Sequence, residues 1–93
     1  MNNATKNSKD HAVDFFIDIT GEVCPLTFVK TKLLIENMQP GQTAEVRLKG
    51  REPLENVPRS VREHGHVVLS LEPEDKSQPA DGIHRLILQK ASS

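Results

Sequence analysis

Aromatic residues are scarce: the 93-residue chain has no Trp, no Tyr and three Phe. Surfaces that bind single-stranded nucleic acid stack bases on aromatic rings. A net charge of −1 supplies no electrostatic substitute. The two shortages together argue against direct nucleic-acid binding. No apolar run approaches the roughly 20 residues that cross a bilayer, so no membrane role is expected. Residues 1–11 are polar and lack the apolar core of a signal peptide. A single cysteine excludes an internal disulfide, and the expected setting is reducing and cytoplasmic. With 35% hydrophobic and 27% charged residues, what is present suits one small globular domain with a modest core. Residues 1–12 read as a disordered N-terminal tail and 13–91 as the domain.

The hydrophobic pattern orders the elements. Phe15, Ile17 and Ile19 alternate with Phe16 and Asp18, as in a strand with one better-buried face. A helix is expected from about Pro25 to Asn37, ended by Pro40 and Gly41. Over residues 43–49, Ala44, Val46 and Leu48 point one way and Glu45, Arg47 and Lys49 the other. A strand wet on one face belongs to a two-layer fold rather than to a doubly wound sheet. Leu54, Val57 and Val61 form one apolar stripe of a second helix. A proline inside a helix costs about 3 kcal/mol, so the well-formed part is predicted to begin at Asn56, with Pro58 in its first turn and residues 52–55 in a separate turn. Residues 66–71 and 83–90 make two further strands, joined by a long, polar and mobile connection. The fold class is α/β (α+β): a two-layer sandwich in the order β-α-β-α-β-β, with a four-stranded mixed sheet and two helices on one face.

The lone cysteine stands where the first helix starts. Proline suits the first helical position, and Pro25 follows Cys24 directly. The sulfur is thereby placed beside free amides and the positive dipole end of the helix. Such a place favours the thiolate, which is the nucleophile. On the helix itself, Phe28, Thr31, Ile35 and Met38 form one stripe, and Leu26, Val29 and Leu33 a second. A helix on one sheet buries a single stripe. Phe28, Ile35 and Met38 are expected to face the sheet. Leu26, Val29 and Leu33 would then lie exposed beside Cys24 as a docking patch for a partner protein, flanked by Lys30 and Lys32.

The run Gly21-Glu22-Val23-Cys24-Pro25-Leu26-Thr27, followed by a helix ending at Met38-Gln39-Pro40-Gly41, resembles the TusA/SirA-like sulfur-carrier (sulfurtransferase) family from about Phe15 to Lys90. The resemblance implies that Cys24 carries a persulfide. The sulfur would come from a donor protein, a cysteine desulfurase or a rhodanese-like protein, and pass to an acceptor protein, as in tRNA thiolation and related sulfur trafficking. Such a carrier has little turnover alone and needs no cofactor. Gly21, Glu22, Pro25, Leu26 and Thr27 would form the persulfide's surroundings, with the amides of Leu26 and Thr27 facing the anion. Thr27 stands where the family's motif has its second proline.

Other readings of the same residues are a diverged regulatory or RNA-binding module of this fold, or a redox-sensing thiol. His64 and His66 flank Gly65, but zinc needs three or four ligands. They read as helix-end or surface residues, and no metal site is expected. Arg59 and Arg62 read as surface partners of Glu55 and Glu63.

Overall fold

The computed structural model describes residues 13–23 and 25–91; the predicted tail, 1–12, lies outside them. Its elements are β1 (Phe15–Asp18), α1 (Leu26–Glu36), β2 (Thr43–Leu48), α2 (Arg51–Glu63), β3 (Val67–Pro73) and β4 (His84–Gln89). The strands form one sheet in the order β1-β2-β4-β3. β1 pairs parallel to β2, while β4 pairs antiparallel to both β2 and β3. The mixed α+β architecture expected from the pattern is the one found.

Register explains which residues meet. Phe15 and Ile17 lie beside Ala44 and Val46, and Leu86 and Leu88 lie opposite Val46 and Ala44. Ala44, Val46, Leu48, Leu86 and Leu88 are wholly buried, and Ile35 of α1, Met38 just beyond it, and Val57 and Val61 of α2 close the core above them. The other sheet face carries an ion-pair relay. Arg47 binds Asp18 at 2.8 Å and Glu74 at 3.0 Å, while Arg85 approaches Glu74 at 3.4 Å and Glu45 at 3.6 Å.

Two expectations need correction. α2 does not begin at Asn56; it is continuous from Arg51 to Glu63 with Pro58 inside. Gly50, at φ 102°, takes a backbone shape that side-chain-bearing residues avoid, and its carbonyl accepts the N–H of Leu54 at 3.0 Å. Pro53 falls in the first turn, where a missing N–H costs nothing. Pro58 does cost the helix a bond to the Leu54 carbonyl, and its burial with Val57 and Val61 offsets that loss. The connection between β3 and β4 is tied rather than loose. Asp75 accepts both the amide and the hydroxyl of Ser77, Glu74 N–H donates to Ile83 O, and Gly50 N–H donates to Asp81 O at 2.9 Å, which links the loop to the head of α2.

Candidate functional site

The turn after β1 leads to Cys24, which itself lies outside the described residues. Its approach is braced. Asp18 Oδ1 accepts the amide of Thr20 at 2.9 Å and its hydroxyl at 2.7 Å, an Asx-type turn. Arg47 Nη1 donates to Asp18 Oδ2 at 2.8 Å. These bonds hold the Asp18 carboxyl below its ordinary range, the Thr20 amide first, then its hydroxyl, then Arg47. Glu22 N–H donates to Ile19 O at 3.0 Å and Leu26 N–H to Val23 O at 2.8 Å. The Leu26 amide, expected to face an anion, is therefore engaged in the turn. Gly21 has ordinary φ and open space around it, so nothing in the local geometry requires glycine there.

Pro25 is the residue just before α1 rather than its first helical residue. Among the described residues no side chain caps this end, and no acidic residue stands in the first turn. Thr27 is wholly buried, and Thr31 nearly so. The Thr31 hydroxyl donates to the Thr27 carbonyl at 2.8 Å, which satisfies a polar group in the core. Phe28, expected to face the sheet, lies elsewhere. It is half-buried at the seam of the two helices, with its ring 6.1 Å from that of His64. There a cavity of about 90 Å³ is lined by Phe28, Thr31, Ile35, Val57, Val61 and His64, among others.

The second stripe of α1 is open to solvent: Leu26 is 46% exposed, Val29 39% and Leu33 53%, and Val23 adjoins them at 71%. Lys30 does not stand alone on this face; its Nζ lies 2.6 Å from Glu22 Oε2. Lys32 pairs more loosely with Glu36, at 3.8 Å. Sequence reasoning missed the Asp18–Thr20–Arg47 brace, although Asp-Ile-Thr at a strand end is the signal for it.

The remaining polar residues resolve singly. His64 Nδ1 lies 2.9 Å from Ser60 O, and Ala91 N–H donates to His66 Nδ1 at 3.0 Å. Among the described residues no group of three or more His, Cys, Asp or Glu could hold a metal ion. Arg59 and Arg62 form no ion pair with Glu55 or Glu63. Arg59 Nη2 donates instead to Asn56 Oδ1, one turn back, and that contact takes the guanidinium from Glu55. No helix among the described residues is long and apolar enough to cross a membrane.

Comparisons place this arrangement. Proteins of Archaeoglobus fulgidus and Thermotoga maritima, each named "Putative sulfur carrier protein", are 48% and 41% identical over 56 residues, 60% of this chain. The matched stretch spans 64% of the Archaeoglobus protein and 71% of the Thermotoga one. YedF of Escherichia coli, similarly named, is 30% identical over 64 residues, 69% of this chain and 83% of its own. The crystal structure of a SirA-like protein from Desulfitobacterium hafniense superposes with a TM-score of 0.62, covering 84% of this chain and 99% of that one. At 18% identity this likeness speaks for the fold. The profile of the sulfurtransferase TusA family matches residues 15–90, from the first residue of β1 to the residue after β4, and the chain belongs to that family.

Proposed function

We propose that this protein is a sulfur carrier that holds a persulfide on Cys24 and passes it between partner proteins. The observation that carries the reading is the family match across the whole ordered fold, with Cys24 at the junction of the braced turn and α1. In the loading step the Cys24 thiolate attacks the outer sulfur of a donor protein's cysteine persulfide. A new S–S bond forms, the donor's S–S bond breaks, and the donor cysteine leaves as thiolate. In the second step an acceptor thiolate attacks the outer sulfur on Cys24, and Cys24 departs as thiolate. Electrons balance in each exchange, so no cofactor takes part. A persulfide is anionic, and an anion at a helix N-terminus is favoured by about 0.3–1 kcal/mol. The exposed Leu26, Val29 and Leu33, on the helix that follows Cys24 in the chain, supply an apolar contact for donor and acceptor.

The test is sulfur uptake. Incubated with a cysteine desulfurase and cysteine, the protein gains the mass of one sulfur atom, removable by a reductant. Cys24→Ser gains none and keeps the wild-type fold by circular dichroism. Wild type that takes up no sulfur from desulfurase or rhodanese-type donors would refute the reading.

A further inference from the structure

We propose that the groove between the turn after β1 and the head of α2 is a docking surface for an acidic peptide segment of a sulfur-transfer partner. That the partner is a sulfur donor or acceptor rests on the sulfur-carrier reading above; the groove itself is built from described residues. One wall is residues 20–23 and the other residues 49–53, around about 400 Å³ of space. The first wall runs directly into Cys24 in the chain. Backbone bonds fix both walls. Thr20 N–H is held by Asp18 Oδ1 at 2.9 Å, and Glu22 N–H by Ile19 O at 3.0 Å. Across the groove, Gly50 N–H donates to Asp81 O at 2.9 Å, and the Gly50 carbonyl accepts Leu54 N–H at 3.0 Å. A surface held in this way has little order left to lose when a partner binds.

The charges select the occupant. Lys49 and Arg51 are exposed. Among the described residues neither forms an ion pair, whereas Lys30, Lys32, Arg47 and Arg85 each meet a carboxylate. The groove has two carboxylates of its own, Glu22 and Glu52. Glu22 is taken by Lys30 Nζ at 2.6 Å, which leaves Glu52 against two cations. The groove is therefore positive in a chain whose net charge is −1, and such a local field draws an anionic partner. Val23 and Pro53 add apolar surface to the walls, but no aromatic ring lines them for a base to stack on. These walls suit an acidic peptide better than RNA.

The experiment is fluorescence anisotropy of a labelled hexaglutamate peptide with three proteins: wild type, Lys49→Gln/Arg51→Gln, and Arg62→Gln/Lys76→Gln. The last removes the same charge from two exposed cations that lie off the groove. Wild type binds the peptide, less tightly as salt rises. The Lys49→Gln/Arg51→Gln protein binds about two- to thirtyfold more weakly, the range of two exposed ion pairs. The Arg62→Gln/Lys76→Gln protein keeps the wild-type affinity. On titration of wild type, the amide resonances of residues 20–23 and 49–53 move and those of β3 stay. Equal weakening in both variants overturns the proposal, because net charge alone would then explain binding. So does a wild type that binds no peptide, or whose shifts fall outside the groove. Hexauridylate bound as tightly at the same residues overturns it as well, since the groove would then be a phosphate site. None of these measurements uses sulfur. A groove that binds as stated, in a protein that takes up no sulfur, refutes the carrier reading and leaves the docking of an acidic segment standing.

Discussion

His66 illustrates how a single side chain acquires a property from its neighbours. Its Nδ1 accepts the Ala91 amide, which only an unprotonated nitrogen can do. Burial lowers the ring's pKa below its ordinary value of 6.5, and the positive Lys90 and nearby His64 lower it further. The sign follows from linkage. A base with a depressed folded pKa favours the folded state above its unfolded value and loses that contribution as pH falls through the folded one. Urea unfolding at pH 7.5 and pH 5.5 should therefore show lower stability at the acid value. His66→Gln should remove part of that difference, since an amide oxygen accepts the same N–H without titrating. An equal pH dependence in both proteins would show that the Ala91 bond does not persist in solution. Nothing in the stretch from Gly65 to Val68 hints at this contact, because its partner lies 25 residues on.

α1 and α2 divide differently between pattern and packing. The two stripes of α1 were legible from spacing, and the choice of which to expose was right for Leu26, Val29 and Leu33. The inner stripe was not fully legible. Thr27 and Thr31 read as polar, yet they lie deepest, because Thr31 bonds the backbone one turn back and a β-branched methyl packs like valine. Phe28 lies at the α2 seam instead. On α2, the mid-helix proline pointed to a late start, and the burial of Pro53 and Pro58 overrode that propensity. The exposed face of α1 yields a separable prediction. Leu26→Glu or Leu33→Glu should change stability by no more than about 0.5 kcal/mol, as surface substitutions do, while sulfur transfer to a partner protein falls. Loss of folding, read by thermal unfolding, would mean that the patch is core after all.

The sandwich stands on few residues. Leu86 and Leu88 of β4 are wholly buried between β2 and β3 and under both helices' apolar stripes. Leu88→Ala should cost about 2–5 kcal/mol, a large share of the roughly 5–15 kcal/mol that keeps a domain folded. Chemical denaturation reads the loss directly; a change below about 1 kcal/mol would mean that the core relaxes around the gap. The relay Asp18–Arg47–Glu74–Arg85 on the open face contributes less, since exposed pairs are worth about 0–1 kcal/mol each. Its value to the site is geometric: Arg47, in the second strand, steadies Asp18 and through it the turn before Cys24.

Element order, the alternation of β2, the one cysteine at a strand–helix junction and the family resemblance were all available from the residues in order. They depend on local periodicity and on chain neighbours, which a linear text preserves. The pairing of Lys30 with Glu22, the brace of Asp18 by Arg47, the tie of Ala91 to His66 and the anchoring of the β3–β4 loop on Gly50 came only with the folded chain. Each joins groups eight or more positions apart, and their meeting is governed by how sheet and helices pack rather than by any repeat along the sequence.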